Sequence, residues 1–308
     1  MATITEKTRV GTAQAGRVDR VVQTLTGRTR GGVRGLIQHG CVTVNETPCA
    51  SDFQPVMEGD VVGVAYDPER KYAEKSLPAA NAPFKILFED EKLLVVEKAA
   101  HLLTVPTPKR ESNTLVHLLQ EYVSRGLKRR RRVEVVHRLD RGVSGVLVFA
   151  KDGATAEMLR DQFAATKPER EYTAIVAGRM EASEGTFDKN LMTDLKTIHR
   201  FATARPDQGE RAVTHYQVVR RLRNTTLVRV RLETGRRNQI RVHFADAGHP
   251  VLGDPRYSPE RAKHPRWHPR RLALHAACLA FMHPHTEKPL RFASPLPPEF
   301  AEFLASQA

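Results

Sequence analysis

The chain has 308 residues, with 49 Lys and Arg against 35 Asp and Glu, a formal net charge of +14 and an isoelectric point near 10. That length suits about two domains, and 40% hydrophobic with 27% charged residues excludes collagen-like, fully disordered and membrane-spanning chains. No run approaches the roughly 20 apolar residues of a spanning helix, and the opening MATITEKTRV lacks the apolar core of a secretion signal. Cys41, Cys49 and Cys278 cannot all pair and have no metal-ligand spacing, which points to a reducing cytoplasm; a monomer with no membrane partner is expected. The charge points to a polyanionic partner, nucleic acid above all, against the alternative of a merely solvated basic surface.

In chain order, Val18, Val21, Val22 and Leu25 recur at helical spacing, as do Val33, Leu36 and Ile37. Gly40 fits a helix stop, and short strands follow at Cys41–Val44 and Val61–Ala65. Six arginines run from Arg9 to Arg34 against one acid, Asp19. Two short arginine-bearing helices followed by small strands resemble the S4-like RNA-binding module, which lays its helical face on structured RNA. The alternative is a small α+β cap. The boundaries are 1–66 for this unit, with about the first 13 residues flexible. A linker at 67–83 is marked by three prolines in YDPERKYAEKSLPAANAPF, and 84–308 forms the main domain.

Beyond the linker, strand-length apolar runs recur at Leu93–Val96, Gly145–Phe149, Tyr172–Val176, Val213–Val219 and Leu227–Leu232. Helices are predicted from Ser112, from Asp152, and in RNQIRVHFADAG ending at Gly248. The fold class is therefore α+β, a mixed, largely antiparallel central sheet flanked by helices. Two further basic runs, Lys128–Arg132 and RAKHPRWHPRR at 261–271, read as loops or exposed faces that a phosphate backbone neutralises.

The densest chemistry lies in VVHRLDRGVSGVLVFAKD, 135–152, where Asp140 sits in a turn flanked by Arg138 and Arg141. An aspartate beside arginine stays charged and can serve as nucleophile or base; spacing alone equally allows a surface ion pair. HRLDRGVSG resembles the HRLDxxTSG signature of the RluA-type pseudouridine synthases. Three more blocks match in order: ILFEDEKLLVVEKAAHLLTVPT, EREYTAIVAG and LETGRRNQIRVHFADAGHPVLGDPRY. The resemblance covers about 84–300 and implies the pseudouridine synthase fold, an isomerase that needs no cofactor or metal, and a folded RNA as substrate. Ribosomal RNA is the expected target, with transfer RNA as the alternative.

It also implies site roles. Asp140 is the catalytic carboxylate, attacking sugar or base or abstracting a proton from C2′, Tyr172 stacks on the target base and takes part in proton transfer, and Arg241 pairs with Asp140. Because the uridine must be flipped out of folded RNA, Arg138, Lys128, Arg129, Arg130 and Arg34 are candidate substrate-binding residues. Departures from the pattern are Val143 for threonine, EKAA at 97–100, and Asn238 where histidine is common; none is expected to touch the aspartate. Ser144 fails the G-x-S-x-G pattern, GxGxxG and Walker motifs are absent, and the C-terminal histidines lack metal-site spacing. The competing class is a non-catalytic RNA-binding or ribosome-assembly protein on the same fold. Such a protein would be expected to lose Asp140, Tyr172 or Arg241, and all three are present.

Overall fold

The computed structural model describes residues 3–49, 54–68, 72, 83–108, 111–124, 131–165, 168–205, 207–267 and 271–307. The chain divides into two units, 1–81 and 82–308. The segment read as a linker lies largely outside the described residues.

In the first unit, helices Val18–Thr26 and Arg30–Gln38 lay Val18, Val21, Val22, Val33, Leu36 and Ile37 onto a small sheet containing Val42–Val44 and Val61–Tyr66. Gly27 ends the first helix in the left-handed conformation, φ 62°, which glycine adopts without steric cost. The second helix starts at Thr29, whose hydroxyl accepts from Gly32 N–H. One expectation is corrected here. Residues 4–9 are not a flexible leader: Ile4–Arg9 is the antiparallel edge strand of this sheet, paired with Val61–Tyr66. A strand with one neighbour and little buried surface needs no apolar run, so ITEKTR carries no strand signal beyond its β-branched residues.

The second unit is built on an eleven-stranded sheet. Its principal order is 200–203, 184–193, 210–221, 225–232, 169–177, 274–282, 144–150, 93–98, 84–89. All pairings are antiparallel except that of Ser144–Ala150 with Leu274–Met282, so the fold is α+β as expected. Ser144–Ala150 is buried at every position because both its faces are covered. Leu147 and Phe149 pack with helix Leu115–Val123, while Val146 and Val148 pack with Ala156 and Leu159 of helix Gly153–Ala164. The latter helix is capped by Asp152, which accepts from Thr155 N–H at 2.8 Å.

Gly145 holds the parallel junction. Its φ is +118°, and a Cβ there would sit 2.2 Å from the Ala276 carbonyl oxygen, so no other residue fits the position without moving a central strand. The turn bearing Asp140 leads directly into this junction, and the last carboxylate before it is thereby tied to a strand buried at every position.

Candidate active site

Asp140 lies in the turn between the short strand Glu134–Val135 and Ser144–Ala150, closed by Val143 N–H donating to the Asp140 carbonyl at 3.0 Å. Two buried side chains clamp its backbone. Thr104 donates its hydroxyl to the Leu139 carbonyl at 2.7 Å and accepts from Leu139 N–H at 3.2 Å. Arg271, 1% exposed, donates to the Gly142 carbonyl at 2.8 Å and to Ser144 Oγ at 2.7 Å. The run 261–271 is therefore not simply an exposed basic face. Arg271 and Trp267 are buried, Trp267 donating its indole N–H to the Arg271 carbonyl at 2.5 Å, while 268–270 lie outside the described residues. Ser144 is consumed structurally, its hydroxyl shared with Arg271 and His275 Nδ1 at 2.9 Å.

The Asp140 carboxylate meets Arg241, whose Nη1 donates to Oδ2 at 2.6 Å. Arg241 is on helix Gln239–Asp246 and is itself forked onto Asp254, with Nε and Nη2 donating at 2.7 and 2.8 Å. Side-chain exposure is 22% for Asp140, 9% for Arg241 and zero for Asp254. One guanidinium thus bridges two carboxylates and lies over the Tyr257 ring, 4.9 Å from its centre. Burial opposes its charge, but the Asp254 hydrogen bonds and the Asp140 charge outweigh burial and raise its pKa above the ordinary value.

Asn238 corrects a second expectation. With the amide oriented by its hydrogen bonds, its nitrogen donates to both Asp140 oxygens, at 2.9 and 3.2 Å, and its oxygen accepts from Tyr257 Oη at 2.9 Å. The position where histidine is common in the family therefore touches the aspartate directly. Its backbone is left-handed, φ 58°, a conformation asparagine tolerates better than most residues. Gln239 fixes the loop beside it. Its Oε1 accepts from Thr234 Oγ1 and Arg236 N–H, and its Nε2 donates to the Val213 carbonyl and Thr214 Oγ1, at 2.8–2.9 Å throughout. Val143, the other departure near Asp140, is buried in the core.

Asp140 opens onto a cavity of about 440 Å³ whose walls include Tyr172, Phe163, His137 and the 234–238 loop. Tyr172 stands on strand Glu169–Ala177, which pairs regularly with Thr225–Leu232; its pairing with Leu274–Met282 is irregular, the extra residue being Ala277 of that neighbour. Burial, reinforced by the Asp140 charge, raises the Tyr172 pKa, so the hydroxyl is a phenol at neutral pH. His137 stacks on Phe163 at 4.7 Å and accepts Val148 N–H at its Nε2. Burial first, and Arg170 second, push its pKa down to about 3, so the ring is neutral.

Of the sequence candidates, Asp140, Tyr172 and Arg241 come together, and Arg138 is exposed on the same cavity wall. Lys128, Arg129 and Arg130 lie outside the described residues, and Arg34 is half-buried on a helix of the first unit. Sequence reasoning missed Arg170, Thr104, Asp254 and Arg271. Asp254 had a signal in the GDPRY end of the fourth block; Arg170 had one in its spacing of two from Tyr172 on a strand, which puts both on one face. Among the described residues no three His, Cys, Asp or Glu side chains converge as a metal site. His283 bonds Asp90 at 2.9 Å and His285 bonds Thr155 at 2.8 Å.

Residues 92–246 match the RNA pseudouridylate synthase family. A Zymomonas mobilis protein named ribosomal large subunit pseudouridine synthase D is 35% identical over 295 residues, covering 91% of this chain and 90% of that one. The Bacillus subtilis protein named uncharacterized RNA pseudouridine synthase YlyB is 34% identical over 278 residues, covering 90% and 88%. Among solved structures, human RNA pseudouridylate synthase domain containing 4 superimposes with a TM-score of 0.57 at 26% identity, covering 71% of this chain and 91% of that one. With half the chain matched at family level and relatives aligned over nine-tenths of it, this chain belongs to the RNA pseudouridine synthase family of isomerases.

Proposed function

We propose that this chain isomerises a uridine of ribosomal RNA to pseudouridine, with Asp140 as the catalytic carboxylate, Arg241 as its ion-pair partner and Tyr172 as the surface on which the flipped base stacks. The observation that carries the assignment is that, among the described residues, Asp140 is the one carboxylate lining the cavity, held there by hydrogen bonds from Arg241 and Asn238. The reaction breaks N1–C1′, joins C5 to C1′, moves a proton off C5 and leaves one on N1. Such a rearrangement needs a charged group that reaches the nucleoside without reorganising, and a wall that keeps water from the detached base. Tyr172 supplies the wall, and its phenol hydroxyl can donate a hydrogen bond to the base stacked on it.

The ribosomal target rests on the names of relatives aligned along most of the chain. In this reading the first unit is an S4-like RNA-binding module, with Arg20 and Arg30 exposed on its helices. The three cysteines are unbridged, which supports work in a reducing cytoplasm. The test is to map pseudouridines in cellular RNA from a strain lacking the gene, then restore it with wild type or Asp140→Asn. One or more ribosomal uridines should lose modification and regain it with wild type only. Full restoration by Asp140→Asn, or no lost site in the deletion strain, refutes the proposal.

A further inference from the structure

Arg170 is a buried cation that the reaction, as derived above, does not use. It stands on the same face of strand Glu169–Ala177 as Tyr172 and is 5% exposed, yet it lines the same cavity. Its Nη2 donates to the Glu233 carbonyl at 2.8 Å, and its guanidinium carbon lies 5.5 Å from the centre of the Phe163 ring. Its Nη1 occupies the space over Gly235, where a Cβ would lie 2.4 Å away, so the glycine of the TGR sequence makes room for this side chain. Its Nε is buried with no hydrogen-bond partner, and among the described residues no carboxylate pairs with it. Arg241, by contrast, has two carboxylates, Asp140 and Asp254.

Burying a charge without a counter-ion is costly, and a buried donor left unsatisfied adds to the cost. Packing against Phe163 would be met by methionine or leucine, and the Glu233 carbonyl takes only one of the guanidinium's donors. The cavity as a whole has the same imbalance. Asp140 shares its lining with Arg138, Arg170, Arg236 and Arg237, with Asp140 already committed to Arg241 and Arg236 paired with Glu210 at 3.1 Å. The neighbouring His137 is neutral and adds no further positive charge. What the wall lacks is an anion, and the anion that enters with a flipped nucleotide is its own backbone phosphate.

We propose that Arg170 binds a phosphate adjoining the flipped uridine, anchoring the sugar–phosphate backbone at the inner end of the cavity while Tyr172 receives the base. This rests on the proposed function. The guanidinium is already oriented by Glu233 and Phe163, so little conformational entropy is lost when the phosphate arrives, and the forked donor suits a phosphate better than an ammonium would. Gly235 has a corresponding part, since any side chain there would displace the guanidinium.

The test uses the full-length chain and a short RNA carrying the mapped uridine, with a single methylphosphonate replacing either the 5′ or the 3′ phosphate. Single-turnover rate and dissociation constant are measured for wild type, Arg170→Met and Arg170→Lys. One of the two neutral linkages should slow wild type or weaken its binding by ~10- to ~100-fold, the range for hydrogen bonds to charged groups. Arg170→Met should lose a similar factor on unmodified RNA and lose little more on the methylphosphonate RNA. If Arg170→Met fails to fold, Arg170→Lys makes the same comparison, with reduced sensitivity to the modified linkage. The inference is overturned if neither linkage affects wild type, or if the losses from the variant and from the linkage multiply. In both of those outcomes unmodified RNA is still converted, which leaves the proposed function standing; absence of conversion together with no lost site in the deletion strain would instead refute that function.

Discussion

Replacing Arg241 by methionine separates what the buried ion network does for stability from what it does for Asp140. The substitution leaves the fully buried Asp254 facing an apolar side chain, keeping only the backbone donors Arg256 N–H and Tyr257 N–H, at 2.9 and 3.1 Å. Removing one partner of a buried pair costs about 3–5 kcal/mol, because the remaining charge is neither solvated nor paired. For a unit of this size each kcal/mol lowers the melting temperature by about 2–4 °C, so Arg241→Met should melt ~6–20 °C below wild type. Adding Asp254→Asn removes the stranded charge, keeps an oxygen for the same two backbone donors, and should recover more than half of that loss. Activity should not follow. Both variants leave Asp140 without the 2.6 Å contact from Arg241 and should release the C5 proton of the target uridine, followed as tritium under single-turnover conditions, at least ~100-fold more slowly than wild type. A double variant no more stable than the single one would show that Asp254 is not the source of the cost. Near-normal tritium release by Arg241→Met would show that the ion pair is not what fixes Asp140.

Two other expectations follow from buried groups. Asn238→Ala removes two donors from Asp140 and should cut the single-turnover rate ~10-fold or more without changing RNA affinity, whereas an unchanged rate would deny the contact a role. Lys98 is fully buried, donating to the Ala99 and Leu102 carbonyls at 2.9 and 2.8 Å, and burial followed by the Arg271 charge pushes its pKa down to about 7. Between about pH 7 and pH 10.5 the unfolded chain therefore holds a proton that the folded chain has released, and wild type gains stability as pH rises through that window. Relative to Lys98→Met, which lacks the group, that gain should be about 3 kcal/mol from pH 7 to pH 9.5 in denaturant titrations; a difference independent of pH would contradict it.

How much of this was legible in the sequence depended on where each residue finds its partner. Ser144–Ala150 was readable because a strand covered on both faces shows as an apolar run, and Glu169–Ala177 through its apolar second half, Ala174–Ala177. Leu274–Met282 carries the same buried pattern but contains alanine at three positions, LHAACLAFM, and gave no strand signal although it forms the parallel neighbour of the Asp140-bearing element. Strand Glu184–Thr193 alternates exposed and half-buried residues and reads as polar loop. Asp140, Tyr172 and Arg241 were identified through ordered blocks, and Asn238 was misjudged because resemblance marks a departure without saying what the residue touches.

The arginines show why composition reaches only so far. Net charge, and the runs it was resolved into, treated Arg271 as one more exposed cation and passed over Arg170 altogether. Yet Arg271 closes the Asp140 turn through a carbonyl 129 positions away, Arg241 meets its aspartate across 101, and Arg170 rests on a carbonyl 63 away. A guanidinium in a polar run looks the same whether it faces water or locks a backbone, since the distinction lies in contacts that local spacing does not encode. What separates these three once the fold is known is their counter-charge. Arg241 has two carboxylates, Arg271 has backbone carbonyls and the half-exposed Glu299 at 3.4 Å, and Arg170 has one carbonyl and no acid among the described residues. A buried cation with a complete set of partners holds the fold together; one whose set is incomplete, on the wall of the cavity that receives the substrate, is the one whose missing partner must come from the RNA.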